Sequence, residues 1–304
     1  MNAAARTRVL GAAAWLGVAF AGALLLRLGE AAVLGGMLAS GGALLSVLWA
    51  FGGDLLGRAE WTSEASSRLA WLRRNVEPWM VLVAVSALLR VPVPLWPEGF
   101  ALIATAQTVL LALAALSWAW KRVGRRALLL FAACFVLGLA VEIAGSRAGF
   151  LFGSYDYDPP GPKVLGVPLL VPLGWWWMTL AALALSNGKP VLAGALMVAL
   201  DVGLEPLMTT YGFWSWAPGG TSYYGVPWTN FLGWFVVGAL LSWLILRLTP
   251  IVLTRGTTFR VAYLVELFFL PAGLLLLGKF GAALLTLVLM GGGAWISSKA
   301  AFAR

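Results

Sequence analysis

Long apolar runs fill this chain, and they leave few folds open to it. One run extends from Val9 to Leu26, and another surrounds Leu180–Leu185. Of the 304 residues, 61% are hydrophobic and only 11% are charged, whereas a soluble domain carries about a quarter charged residues. Because the bilayer interior offers no water to the backbone, such runs cross it as helices. The sequence therefore predicts an all-α polytopic transmembrane helix bundle, with residues 1–304 as a single integral membrane domain.

The lengths of the apolar runs predict ten helices joined by short loops. The last two runs are short, which leaves open an arrangement of eight full spans followed by a hairpin. The predicted helices lie near 9–26, 31–52, 76–91, 99–120, 127–146, 167–186, 190–209, 228–247, 261–277 and 280–297.

The basic residues indicate the orientation and the kind of partner. In the predicted topology, sixteen of the 21 lysines and arginines fall on one side of the membrane and five on the other. The positive-inside rule then places both termini in the cytoplasm, in a multi-pass protein of the cell (inner, cytoplasmic) membrane. The net charge of +9 is therefore interpreted as an adaptation to the membrane surface and its lipid, and no nucleic-acid partner is expected. The charged loop 53–75, with Trp61 and Trp71, is predicted to form an interfacial amphipathic helix.

Three carboxylates, Glu142, Asp201 and Glu205, lie within predicted helices, where each costs about 2.5–3.5 kcal/mol on insertion scales. Asp201 and Glu205 are four residues apart and share one helix face. Two carboxylates so close in a low dielectric do not both ionise easily, so one is expected to carry a proton near neutral pH. Pro206 follows directly and is expected to kink or end the helix. Structural roles remain open, since the pair could bond neighbouring helices and Glu142 could pair with Arg147 or cap a loop.

Two polar loops are predicted on the non-cytoplasmic side, at 147–166 and 210–227. The first contains Tyr155, Asp156 and Tyr157, which form either a solvated turn or a lid over a site. The second contains no charged residue. Because the acidic helices end at these loops, we expect the three carboxylates to meet at one depth beneath them.

Tryptophan is abundant, with 17 in the chain. Most of those between positions 175 and 243 are interpreted as an aromatic belt at the membrane interface. Trp214 and Trp216 differ, because they flank the acidic helix within an uncharged loop and could stabilise a carbocation through their π faces. Asn230, at a predicted helix start, is either an N-cap or a group that positions water.

The residues that the sequence lacks exclude several classes of enzyme. The chain has no histidine and a single cysteine, so haem with a histidine ligand, iron–sulfur clusters and histidine-rich di-iron sites are excluded. The sequence contains no P-loop, no dinucleotide-binding glycine motif and no Asp-rich diphosphate motif. Neither a metal nor an organic cofactor is expected, and Cys134 is interpreted as packing. No internal repeat is evident in the sequence, which argues against an inverted-repeat transporter.

Motifs within residues 127–247 together resemble one family. Glu142 is followed by Gly153-Ser-Tyr-Asp-Tyr and by Gly166-Val-Pro-Leu-Leu-Val-Pro-Leu-Gly-Trp-Trp. Further along the chain come Asp201-Val-Gly-Leu-Glu-Pro, Trp214-Ser-Trp, Tyr223-Tyr-Gly-Val-Pro-Trp-Thr-Asn-Phe and Gly233-Trp. This set is similar to the integral-membrane carotenoid biosynthesis hydratases, which include bacterial γ-carotene or lycopene 1′,2′-hydratases and archaeal bisanhydrobacterioruberin hydratases.

The resemblance implies a cofactor-independent hydro-lyase, a carotenoid 1,2-hydratase with its catalytic core at 127–247. It implies acid-catalysed addition of water to the terminal double bond of an acyclic carotenoid ψ-end, of the γ-carotene or lycopene type, through a tertiary carbocation to a tertiary alcohol. Asp201 or Glu205 would donate the proton, the other of the two would tune the pKa of the donor, and Glu142 would activate water. The implied partners are carotenoid, water and membrane lipid, with other carotenoid-pathway enzymes as further candidates. The substrate-binding candidates are Tyr155, Asp156, Tyr157, Trp214, Trp216, Tyr224, Asn230 and Trp234.

Other functions remain open at this point. A proton-coupled or lipid transporter also places acids within membrane helices, and a carotenoid-binding protein would retain its pigment unchanged. A carotenoid cyclase or isomerase would use the same acid and cation chemistry as a hydratase.

Overall fold

The computed structural model describes residues 3–28, 32–51, 76–94, 96–158, 161–219, 222–249 and 258–302. Within these residues the chain forms ten α-helices and six short strands. The helices are α1 (Ala3–Leu28), α2 (Ala32–Phe51), α3 (Pro78–Leu88), α4 (Phe100–Val123), α5 (Arg126–Ala148), α6 (Leu170–Leu185), α7 (Pro190–Thr210), α8 (Trp228–Leu248), α9 (Arg260–Leu276) and α10 (Phe280–Phe302). The strands are β1 (Tyr155–Tyr157), β2 (Lys163–Val164), β3 (Val167–Pro168), β4 (Trp214–Trp216), β5 (Ser222–Tyr223) and β6 (Val226–Pro227). The predicted interfacial helix at 53–75 lies outside the described residues.

Six helices of the described part, namely α1, α4, α5, α7, α8 and α10, are long and apolar enough to cross a bilayer. The helices α2, α3 and α6 contain shorter apolar stretches. The predicted all-α polytopic bundle is therefore confirmed. The cytoplasmic placement of both termini and the single-domain organisation stay predictions.

The described helices fall into two compact units. In the first unit, α1 and α2 pack against each other, and the Ser46 hydroxyl donates to the carbonyl of Ala12 at 2.8 Å. The second unit contains the helices α3 to α10 and all six strands. The candidate site lies entirely within this second unit.

Helix α6 is the central element of the second unit. Every side chain from Trp175 to Leu185 is buried, and α4, α5, α7, α8 and α9 all contact this helix. A helix that is hydrophobic on all sides is expected to be buried in this way. The aromatic-belt interpretation is therefore wrong for Trp175, Trp176 and Trp177, which lie in the protein core.

The loops that follow α5 and α7 meet at one end of the bundle. Strand β1 pairs antiparallel with β4, so that Tyr155 lies opposite Trp216 and Tyr157 lies opposite Trp214. Strand β1 also contacts α5, and β4 contacts α7. Both loops therefore lie on the same side of the bundle, and their predicted placement on the non-cytoplasmic side of the membrane stays a prediction.

Each of these loops forms a two-residue hairpin before the next helix begins. Leu165 and Gly166 connect β2 to β3, and Tyr224 and Gly225 connect β5 to β6. Their φ angles are +52° and +93° in the first hairpin and +52° and +86° in the second, the pattern of a type I′ turn, in which glycine is favoured. Equivalent strands lie 59 positions apart in the sequence. The expectation of no internal repeat is therefore wrong for this part of the chain.

Candidate active site

Glu142 lies near the end of α5, and its side chain is only 5% exposed. The hydroxyls of Tyr155 and Tyr157, on β1, donate to its Oε2 atom at 2.5 and 2.6 Å. The indole N–H of Trp175, on α6, donates to Oε1 at 2.7 Å. These donors occupy three of the roughly four lone-pair sites of a carboxylate. Glu142 is therefore held in one orientation and retains acceptor capacity for one further donor.

The alternation of side chains along β1 explains which of its residues reach Glu142. Tyr155 and Tyr157 point towards the helices, whereas Asp156 between them is exposed on the opposite face. The Tyr155 hydroxyl comes close to α5 because Gly145 has no side chain. A Cβ atom at Gly145 would lie 2.8 Å from that hydroxyl oxygen.

The two tyrosines are donors over a wide pH range. Burial raises the pKa of the Tyr155 hydroxyl, and the nearby charge of Glu142 raises it further. The same two causes, in the same order, raise the pKa of Tyr157 well above its ordinary value. Both hydroxyls therefore remain protonated at neutral and moderately alkaline pH.

Glu205, on α7, also accepts three hydrogen bonds, and its side chain is 2% exposed. The indole N–H groups of Trp214 and Trp216, on β4, donate to Oε2 at 2.8 and 3.0 Å. The amide of Asn230 donates to Oε1 at 3.1 Å. Trp214 and Trp216 are thus hydrogen-bond donors to a buried carboxylate, in addition to any apolar surface they present.

Asp201 lies one helical turn before Glu205 and is fully buried. The amide nitrogen of Asn230 donates to its Oδ2 atom at 2.8 Å, so one amide bridges the two acids. The Oδ1 atom has no hydrogen-bond partner among the described residues. The N-cap of α8 is Pro227, without a side-chain cap bond. The N-cap interpretation of Asn230 is therefore wrong, and its amide bonds the carboxylates instead.

Ring contacts join the two carboxylate centres into one buried group. The rings of Tyr155 and Trp216 lie 4.8 Å apart, and Trp175 stacks on Trp234 of α8 at 4.5 Å. We refer to this group as the acidic cluster. The acidic cluster consists of Glu142, Tyr155, Tyr157, Trp175, Asp201, Glu205, Trp214, Trp216, Asn230 and Trp234. Across the described part of the chain, no three His, Cys, Asp or Glu side chains are placed to hold a metal ion.

Pro206 lies inside α7 and does not end the helix. Because proline has no N–H group, the carbonyl of Val202 loses its helical partner. The Tyr223 hydroxyl donates to this carbonyl at 3.3 Å, and burial raises the pKa of Tyr223 to about 12. Tyr224, one of the substrate-binding candidates selected from the sequence, is 47% exposed and lies outside the acidic cluster, with the Lys279 ammonium 5.1 Å from its ring centre.

Sequence reasoning misses two sets of polar contacts. Trp175 belongs to a run of three tryptophans, and only the packing of α6 shows which of them reaches Glu142. Glu266 is another carboxylate within a predicted helix. Its two oxygens form a bidentate pair with the Arg90 guanidinium at 2.6 and 2.8 Å, and one of them accepts a hydrogen bond from the Gln107 amide at 3.3 Å. No local sequence signal connects these distant positions. The one sequence signal that could have identified Glu266 is its position within an apolar run, where a charged side chain is costly to insert into the membrane.

Comparisons with known proteins agree with the resemblance seen in the motifs. A bisanhydrobacterioruberin hydratase of Haloarcula japonica is 31% identical over 131 residues, which cover 39% of this chain and 44% of that protein. The match therefore spans less than half of the relative's length. No solved structure matches the chain. The sequence model of the family described as carotenoid biosynthesis protein matches residues 99–292, a range that contains the whole acidic cluster, and the chain accordingly belongs to the carotenoid biosynthesis protein family.

Proposed function

We propose that this protein is a carotenoid hydratase that adds water across the terminal C1=C2 double bond of an acyclic ψ-end, of the γ-carotene or lycopene type. The observation that carries the proposal is the burial of Glu142, Asp201 and Glu205 in one cluster, within a member of a carotenoid biosynthesis family. The similarity to a hydratase supports this choice of reaction. The reaction joins an alkene and water into a tertiary alcohol, and neither oxidises nor reduces the substrate.

Protonation of the alkene requires an acid that keeps its proton in an apolar site. Asp201 and Glu205 share the Asn230 amide in complete burial, and two carboxylates so placed tend to hold one proton between them. This proton passes to C2, the π electrons form the new C–H bond, and a positive charge remains on the tertiary carbon C1. General acid catalysis of this kind contributes about 10²–10⁴-fold to a rate.

Aromatic rings around the carboxylates stabilise the cation at C1. The face of an aromatic ring attracts a cation by about 0.5–2 kcal/mol. The rings of Trp214 and Trp216 are fixed by their bonds to Glu205, and that of Tyr155 by its bond to Glu142. Rings held in this way need little reorganisation when the charge forms, which is the condition for electrostatic stabilisation.

Glu142 completes the reaction by activating water. Its remaining lone-pair site accepts a proton from the water molecule while the water oxygen bonds to C1. The three donors to Glu142 fix the direction from which water adds. Glu142 then returns the proton through water to the acidic pair, so that the enzyme is unchanged after one cycle.

The position of the acidic cluster suits a long apolar substrate. A carotenoid is roughly as long as the bilayer core is thick, about 30 Å. The cluster lies at the end of the bundle where β1 and β4 pair. A substrate aligned with the helices would therefore bring its end group to the cluster next to the membrane interface, where water is available.

The test is isotopic. The protein is expressed in cells that accumulate lycopene or γ-carotene. The cells are grown without oxygen in water labelled with the heavy oxygen isotope, and the masses of the extracted pigments are measured by mass spectrometry. One heavy water gained per end group is expected, with no gain in cells that carry Glu142→Gln. Unchanged mass and unchanged pigment would exclude hydration and favour transport or binding. Unchanged mass with a new absorption spectrum would indicate a cyclase or isomerase.

A further inference from the structure

The acidic cluster is built from two copies of one structural unit. Residues 142–175 and 201–234 align without a gap at an offset of 59 positions. Each copy runs from a helix through a three-residue strand and a two-residue hairpin into the next helix. Identical pairs include Gly153 and Gly212, Gly166 and Gly225, Val167 and Val226, Pro168 and Pro227, Gly174 and Gly233, and Trp175 and Trp234.

The two copies are related by a local two-fold axis. In the β1–β4 ladder, Tyr155 lies opposite Trp216 and Tyr157 opposite Trp214. Because Tyr155 corresponds to Trp214 and Tyr157 to Trp216, exchanging the copies maps the ladder onto itself. The equivalent residues Trp175 and Trp234 stack on each other at 4.5 Å, as residues close to such an axis do.

The two-fold rotation that superimposes the first copy on the second brings Glu142 to the position of Asp201, yet the two carboxylates have different hydrogen-bond partners. In the first copy, the two strand aromatics and the helix tryptophan all donate to Glu142. In the second copy, the matching strand aromatics donate to Glu205, whose counterpart in the first copy is Ser146. The Ser146 hydroxyl donates to the backbone carbonyl of Glu142 at 2.8 Å. The second copy thus has an added carboxylate that takes the donors which Asp201 would otherwise receive.

We infer that Glu205 is a positioning residue that holds the two indole donors, and that Asp201 is thereby left as the acid that delivers the proton. This inference rests on the proposed function. Asp201 is fully buried and accepts one hydrogen bond, from Asn230, while its Oδ1 atom has no partner among the described residues. A buried ionised carboxylate with one hydrogen bond costs far more than one with three. The proton of the pair therefore resides on Asp201 and the charge on Glu205.

The transfer step balances in atoms and electrons. The Oδ1–H bond of Asp201 breaks and leaves its electron pair on oxygen, while the π electrons of C1=C2 bond the proton to C2. Asp201 becomes a carboxylate beside charged Glu205, which favours the return of a proton through water after C1 has been hydrated. Glu205 itself neither gains nor loses a proton in this sequence.

The experiment compares amide and alanine variants at the two positions, with lycopene in detergent micelles and heavy-oxygen water as the label. Asp201→Asn removes the transferable proton, and kcat is expected to fall about 10²–10⁴-fold with little change in KM. Glu205→Ala removes the acceptor of both indoles and is expected to lower kcat about 10–100-fold. Glu205→Gln keeps an oxygen that accepts both N–H groups, so it should recover most of that loss.

Two control variants separate chemistry from folding. Ser146→Ala, at the position that matches Glu205, should retain the wild-type kcat because the Ser146 hydroxyl donates to a backbone carbonyl of its own helix. Asp201→Glu keeps a carboxyl group and should recover part of the activity that Asp201→Asn loses. All variants are compared by their elution in detergent and by the pigment they retain, which a purely catalytic loss leaves unchanged.

Several outcomes would overturn the assignment. An Asp201→Asn variant more active than Glu205→Gln would exchange the two roles, and equal losses in both amide variants would contradict a separate positioning role. Failure of Glu205→Gln to exceed Glu205→Ala would also contradict it. A wild-type chain that adds no heavy water would overturn the proposed function and this inference together, whereas a wrong order among the variants overturns the inference alone.

Discussion

A single methyl group at Gly145 is expected to separate Tyr155 from Glu142, although the substitution removes no polar side chain of the acidic cluster. A Cβ atom at this position would lie 2.8 Å from the Tyr155 hydroxyl oxygen and 2.7 Å from Cδ2 of Phe152. Ordinary contacts begin at 3.4 Å, so the hydroxyl must move by about 0.6 Å, the difference between 3.4 and 2.8 Å. Phe152 is itself buried and offers little room for a smaller adjustment.

The magnitude follows from the bond that this movement weakens. The Tyr155 hydroxyl donates to a carboxylate at 2.5 Å, and hydrogen bonds to charged groups contribute about 1.5–3 kcal/mol. If the stabilisation of the transition state decreases by that free energy because Glu142 is no longer held in its orientation, kcat falls about 10–150-fold in Gly145→Ala. Overpacking is expected to destabilise the fold by about 1–3 kcal/mol in addition.

The assay is the initial rate of heavy-oxygen incorporation into lycopene in micelles, together with thermal denaturation in the same detergent. Combining Gly145→Ala with Tyr155→Phe should slow the reaction no further than Tyr155→Phe alone, because both changes act on one bond. Gly292→Ala in α10 is the matched control, since no atom lies within 4 Å of its added Cβ. A Gly145→Ala variant with the wild-type kcat would refute the role given to the tyrosine.

Three further predictions test other contacts. Trp175→Phe keeps the aromatic stack but removes one donor to Glu142, so kcat should fall about 10-fold or more with KM unchanged. Arg90→Met should lower stability in detergent by about 3–5 kcal/mol because it leaves Glu266 buried without its ion-pair partner, and adding Glu266→Leu should restore most of that loss. The pKa of Tyr157 is raised in the folded chain, so the unfolded chain loses this proton first and stability should fall as pH rises above about 10. Thermal denaturation at increasing pH should show a smaller decline in Tyr157→Phe.

The helices and the acids could be predicted from the sequence because both depend on the membrane as solvent. The run predicted near 127–146 corresponds to α5 (Arg126–Ala148), and the run near 167–186 to α6 (Leu170–Leu185). Length and apolarity alone mark such segments. A carboxylate within such an apolar segment carries a free-energy cost of insertion whatever its orientation. Glu142, Asp201 and Glu205 could therefore be selected without knowledge of their partners.

The partners themselves could not be predicted, because they depend on how distant segments pack. Helix α6 is apolar on every side, so no periodicity shows that Trp175 rather than Trp176 meets Glu142. The repeat is hard to recognise because the retained residues are mostly glycines and prolines of the turns, while the polar donors have changed from Tyr155 to Trp214. Spacing along a helix predicted that Asp201 and Glu205 share a face, but not that their hydrogen-bond partners differ.

The β1–β4 ladder has a consequence for the synthesis of this protein. Its two strands belong to different helical hairpins, and contacts between distant segments form late because the intervening chain must first be made. The helices of the first copy can enter the membrane before α7 exists. Until α7 and β4 have been made, β1 has no partner strand and Glu142 has no access to Asp201 and Glu205. We therefore expect a protease acting on that end of the bundle during biogenesis to cut strand β1 more readily before β4 has been made than in the folded protein.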